Sequence, residues 1–258
     1  METASMSKQA LMHSAEQSMS SLIPDMDLGS REKLALTCRI LFDQGHDAGL
    51  SGQITCRSEQ PGAFITQRFG LGFNEITAAN LLEVNEDLVP VDGEGMANPA
   101  NRFHTWIYRE HPEVNCIIHT HPTHVCALSM LRVPLMVSQM DICALYDDCA
   151  FLADWPGVPV GNEEGVIISE ALGQKRAILL AHHGQLVVGK SIEEACNLAI
   201  LIERAARLQL LAMSAGQIQP LPNALAAEAH DWVTTEKRSR VNFAYYARNA
   251  LKTHRDCL

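Results

Sequence analysis

Asn115-Cys116-Ile117-Ile118-His119-Thr120-His121-Pro122-Thr123-His124 is the stretch from which the fold is read. Cys116, Ile117 and Ile118 are apolar and partly β-branched, which predicts a buried strand. His119 and His121 are two residues apart, and on a strand such positions project from the same face. Pro122 has no N–H to give to a ladder, so it ends the strand. Two imidazoles at a strand end are the start of a metal site.

A second stretch answers the first. Residues 177–181 are apolar, His182-His183-Gly184 follows, and residues 185–189 are again strand-like. The pattern predicts two strands meeting at a tight turn, with Gly184 as the permissive backbone position. Three histidines from two strand ends would offer a divalent cation three neutral nitrogens. A fourth position would stay open for water or substrate, the arrangement of catalytic zinc.

Working outward, Ser30 starts a helix that Gly45 ends, with Leu34, Leu36, Ile40 and Leu41 at near-helical spacing. A glycine-containing loop, 49–52, runs into a strand at 53–57 and could offer N–H groups to an anion or serve as a plain turn. Residues 63–66 and 88–91 are read as strands and 77–82 as a short helix. Helices are expected at 100–110, 123–131 and 163–172, and a strand at 158–160. Ser191 and Glu194 form a capping box opening the longest helix, 192–214, and a final helix spans 224–251. Residues 1–30 are expected to be a flexible N-terminal arm, within which Leu11 and Met12 could start a helix, and residues 31–258 one domain.

The chain has 258 residues, 47% of them hydrophobic and 19% charged, enough to bury a substantial core. Net charge is −10, which argues against a nucleic-acid surface. The apolar stretches are interrupted, so no membrane span is expected, and the N-terminus carries no apolar signal core. The 8 cysteines include no Cys-x-x-Cys pair and read as reduced core residues of a cytoplasmic protein. Strands and helices alternate irregularly, which suggests a sheet covered by helices and not a regular βαβ repeat. No dinucleotide or P-loop motif is present.

These residues carry a resemblance. The Gly49-to-Thr55 loop and strand, the Arg102-Phe103-His104 helix ending near Tyr108, Glu110, His111 and Pro112, His119-Thr120-His121 and His182-His183-Gly184 together resemble the class II aldolase/adducin family over residues 31–214. The resemblance implies a three-layer α/β/α fold, in the α/β class, with a mainly antiparallel central sheet. It implies Zn2+, or Fe2+ or Mn2+, held by His119, His121 and His183; His104 and His182 are each candidates for orienting these ligands or for an ordinary core histidine. It also implies a homotetramer and a lyase that works through a metal-stabilised enolate on a small oxygenated acid or sugar-like substrate. Gly52, Gln53 and Arg68 are the candidate substrate-binding residues.

The chain departs from the family's aldolases. Ala100 stands where they carry an acid/base Glu, and Asn98 and Pro99 replace a phosphate-binding Ser-Ser pair. Gln53 replaces an Asn, and the aldolase tyrosine falls near Ser138. Alanine cannot move a proton, so His124 and Tyr146 become the candidate catalytic groups, with Asp141 and Glu75 as further candidates. The other route is a reaction needing little acid/base help, such as decarboxylation of a 3-oxo or aromatic hydroxy acid. Alternatives are a non-catalytic adducin-like interaction module and a non-haem iron oxygenase on the same site.

Overall fold

The computed structural model describes residues 6–22 and 26–258; the remainder of the expected arm lies outside the described residues. Helices α1 (Lys8–Leu22) and α2 (Ser30–Asp43) precede strands β1 (Gln53–Arg57), β2 (Ala63–Thr66), β3 (Leu82–Asn85) and β4 (Pro90–Asp92). Then come α3 (Arg102–Glu110), β5 (Cys116–Thr120), α4 (Thr123–Met130), β6 (Cys149–Leu152) and α5 (Asn162–Leu172). The chain closes with β7 (Ala177–Leu180), β8 (Gln185–Gly189), α6 (Ile192–Ala215), α7 (Asn223–Val233) and α8 (Glu236–Ala250). The sheet order is β4-β3-β2-β1-β5-β8-β7-β6. Every neighbouring pair is antiparallel except β6 and β7.

Side-chain alternation along β5 sets the layers. Cys116 and Ile118 enter a core built with α2, α6 and α8. Ile117 points the other way, into a core that includes Phe103 and Ile107 of α3 and Ile168 and Leu172 of α5. All five residues of β5 are buried, because helices cover both faces. Each fully buried isoleucine contributes about 1.5–3 kcal/mol. The result is the three-layer α/β/α arrangement with a mainly antiparallel sheet.

Local chemistry explains where elements differ from expectation. Residues 77–82 form a turn, not a helix: Thr77 and Asn80 cap one another's N–H groups, and Leu82 already belongs to β3. Residues 158–160 form no strand, and Val158 and Val160 lie exposed. The strand of this region is β6, which takes its partners from β7, with Cys149 opposite Ala177 and Leu152 opposite Leu180. The single C-terminal helix divides at Thr234-Thr235. The Thr234 hydroxyl donates to the His230 carbonyl at 2.8 Å and closes α7, while extended Thr235 caps α8. Gly29, not Ser30, is the N-cap of α2, and its N–H donates to Glu32 Oε2.

The helix that leaves the β5 end is held from a distance. Pro122 caps α4 with no side-chain acceptor. Glu203 of α6 supplies one, accepting from the N–H groups of His124 at 3.1 Å and Val125 at 2.9 Å. An anion there also suits the helix dipole. Glu203→Ala leaves these donors unpaired and should lower stability by about 1–3 kcal/mol, read as a fall in the urea midpoint. Glu228→Ala, which breaks only the exposed pair with Lys8, should shift it by less than about 0.5 kcal/mol.

Candidate metal centre

β5 and the β7–β8 hairpin deliver three histidines to one rim of the sheet. His119 lies opposite Gln53 on β1 and Leu186 on β8. His121 follows just beyond β5. His183 comes from the four residues between β7 and β8. The three ring centroids form a near-equilateral triangle, 4.7 Å on each side. His119 Nε2 and His121 Nε2 are 2.8 Å apart, and the ligand atoms of all three lie within 4.8 Å of one another. These separations bracket the roughly 3.3 Å between nitrogens of a tetrahedral zinc site.

The donors fit a cation. His119 Nδ1 lies 2.8 Å from the Gln185 carbonyl and donates to it, which leaves the Nε2 lone pair facing the centre. Burial pushes all three rings below the ordinary histidine pKa, His183 to about 4. At His119 burial is followed by the neighbouring His183, His121 and His104; at His183 it is followed by His121. Neutral imidazoles are ligands; protonated ones are not. Phe103 packs edge-on against His119, ring centroids 5.1 Å apart, and walls one side.

The turn works differently from expectation. The left-handed residue is His182, at φ 59°, with its N–H donating to the Ser129 carbonyl at 3.2 Å. Gly184 has no positive φ. It is glycine for space: a Cβ there would sit 2.6 Å from both His121 Cδ2 and the Thr120 carbonyl oxygen. His182 itself is exposed, outside the cluster.

The other sequence candidates divide. Gly52, at φ 117°, lies against the His119 carbonyl, where a Cβ would approach to 3.3 Å. Gln53 is buried, with its Oε1 unpaired among the described residues. Arg68 is exposed. Its backbone pairs with Ala97 in an isolated bridge beyond the end of β2, and its side chain lies against Gly95. His124, in the first turn of α4, is half exposed, with Nδ1 2.5 Å from Glu203 Oε1.

Tyr146 is not brought to this cluster. It precedes β6, whose far end pairs with Leu180, so it stands at the opposite end of the sheet, about 13 Å along the strands. Asp141 pairs with Arg204 at 3.3 Å, and Glu75 accepts from the Gly72 N–H. His104 is fully buried, Nδ1 2.9 Å from Thr55 Oγ1. Glu203, Gln185 and His46 were not singled out by the sequence. They act from α6, β8 and the end of α2, and nothing in their local pattern marks them.

The sequence profile described as Class II Aldolase and Adducin N-terminal domain matches residues 32–210. The chain belongs to the class II aldolase/adducin family. It is 31% identical over 191 residues to the 4-hydroxy-3-prenylphenylpyruvate oxygenase/4-hydroxy-3-prenylbenzoate synthase of Streptomyces roseochromogenus subsp. oscitans, covering 73% of this chain and 68% of that protein. It is 30% identical over 215 residues to the 3,4-dihydroxyphthalate decarboxylase of Arthrobacter keyseri, covering 79% and 87%. Among solved structures, the L-fuculose 1-phosphate aldolase from Glaciozyma antarctica PI12 superposes with a TM-score of 0.81 at 31% identity, covering 88% of this chain and 90% of that one. Among the described residues, no helix is long and apolar enough to cross a membrane.

Buried neutral histidines make stability depend on acid. His46 and His104 are both held down to about 3 by burial, against 6.5 in the free side chain. Their stabilising contribution is complete above pH 6.5 and is lost as pH falls from there towards 3. Each adds a slope of up to about 1.4 kcal/mol per pH unit in that window. Unfolding free energies measured from pH 7 to 4 should therefore fall steeply, and His104→Gln should flatten the slope.

Proposed function

We propose that the protein is a divalent-metal-dependent carbon–carbon lyase, and that it decarboxylates a 3-oxo or hydroxy-aromatic acid. The observation that carries this reading is a cluster of three neutral histidines with no carboxylate among its members in the described residues. Ala100 occupies a short 3-10 turn, its N–H bonded to Asn98 Oδ1. No acid/base group is available from that position.

His119, His121 and His183 would hold the cation, zinc in the first instance, leaving its remaining face to the substrate. Bound there, the metal supplies Lewis-acid stabilisation for the negative charge left as the C–C bond breaks. Three uncharged ligands leave its full positive charge for that purpose. Loss of CO2 needs such an electron sink more than it needs a base, which suits a site without the carboxylate. Exposed Arg68 is the candidate cation for the substrate carboxylate, and Gln53, opposite His119, offers an amide for a neighbouring hydroxyl. The phthalate decarboxylase relative favours this direction.

Protein purified without chelators should carry about one metal ion per chain and release CO2 from a panel of such acids. Less than about half an equivalent of metal contradicts the reading. A second reading, an iron-dependent oxygenase, is favoured by the printed activity of the Streptomyces relative. Oxygen uptake by the Fe2+-loaded protein on the same panel, without anaerobic CO2 release, would select it.

We also propose that the protein is a cytoplasmic homotetramer. Met130 and Leu131 are exposed, and the next residue, Arg132, pairs at 2.7 Å with Asp154, which precedes exposed Trp155. Exposed apolar side chains in two segments joined in this way suit contact with a second copy of the chain. Light scattering at micromolar concentration should give four times the chain mass; a monomer mass contradicts it.

A further inference from the structure

His46 is a buried histidine with no evident structural demand for an imidazole. Gly45, at φ 86°, ends α2, and the His46 N–H returns to the Leu41 carbonyl at 2.9 Å, so the backbone is fixed without the side chain. The ring is 3% exposed, and Nδ1 lies 2.8 Å from Thr120 Oγ1. Thr120 is the residue between His119 and His121.

The Gln185 side-chain amide has one orientation here. Gln185 Nε2 lies 3.1 Å from the Ala199 carbonyl oxygen and 3.1 Å from Thr120 Oγ1. A carbonyl only accepts, so the Gln185 amide must present its NH2 to that side. The same NH2 therefore donates to Thr120 Oγ1. That hydroxyl keeps one proton of its own, and His46 Nδ1 lies within reach to accept it. In that arrangement His46 carries its own proton at Nε2, an atom that is buried with no hydrogen-bond partner among the described residues. The main-chain carbonyl of the same Gln185 receives the His119 Nδ1–H at 2.8 Å. One buried chain of hydrogen bonds, His46–Thr120–Gln185–His119, joins the end of α2 to the first histidine of the triad. Its members are all 5% exposed or less.

We propose that His46 is a positioning residue of the metal centre. By accepting from the Thr120 hydroxyl it fixes the rotation of Thr120 and the backbone on either side, and so the directions of His119 and His121. The inference rests on the cation reading above. It goes beyond it by assigning a role to a residue just past α2 whose hydrogen bond goes to Thr120 and not to a ligand ring. Groups bonded directly to a ligand ring change metal affinity by about tenfold to hundredfold when removed, and His46, one hydrogen bond further out, is expected at the lower end of that range.

The test is zinc affinity, by competition with a chromogenic chelator, in the full-length chain. His46→Leu and Thr120→Val should each weaken zinc binding by about tenfold or more. His46→Asn, whose Oδ1 can still accept from the Thr120 hydroxyl, should stay within about threefold of wild type. The His46→Leu/Thr120→Val double variant should bind no more weakly than Thr120→Val, because the His46–Thr120 contact is already absent from that single variant, which also loses the Gln185 contact. Nitrogen-15 NMR of the wild type should show His46 as Nε2–H. Should His46→Leu fail to fold, Thr120→Val, which keeps the branched shape, and the tautomer decide. Wild-type zinc binding with unaffected variants, or an Nδ1–H tautomer, overturns the role of His46 alone. A wild type that binds no zinc overturns the metal reading itself, and this role with it.

Discussion

Strands β5 and β8 pair antiparallel, with His119 opposite Leu186 and Thr120 opposite Gln185. That register places each part of the site. It brings the hairpin histidine, His183, beside the end of β5. It sets the Gln185 carbonyl where His119 Nδ1 can donate to it, so the ring has one orientation and one available nitrogen. A slip of one residue would turn His119 towards the opposite core and dissolve the triangle. The register is secured by a strand pair buried on both faces, so the precision of the site is inherited from the core.

Burial does two things at once here. It excludes water from the sheet and it keeps the imidazoles uncharged. An uncharged cluster of three rings is tolerable inside a protein; three imidazolium ions would not be. The same desolvation that depresses the three rings also acts on His46 and His104, which have no place in the cluster. A depressed histidine is therefore not by itself a ligand. Convergence of nitrogens separates the two groups. Gly184 shows the tightness of that convergence, since a single added carbon would collide with His121 and the Thr120 carbonyl.

Much of this was legible in the sequence because it was local. The apolar run before His119, the His-His-Gly turn between apolar segments and the Ser191 cap are patterns of neighbouring residues, and the structure repeats them. What was not legible depended on distant partners. Strand β6 is four residues long and is strand only because β7 lies beside it. The break at Thr234-Thr235 rests on a hydroxyl returning to a carbonyl, which no periodicity reveals. Glu203 caps α4 from 79 residues away, and His46 meets Thr120 across 74. Tyr146 is the converse case. It is near the histidines in sequence, yet the direction of β6 carries it to the far end of the sheet.

On the proposed reading, His119, His121 and His183 share one cation and leave a face of it open. X-ray absorption spectroscopy of the protein loaded with one equivalent of Zn2+ examines that coordination. Three imidazole nitrogens at about 2.0–2.1 Å are expected, with one or two further oxygen ligands from water. A spectrum with a single imidazole, or with sulfur in the first coordination sphere, would contradict it.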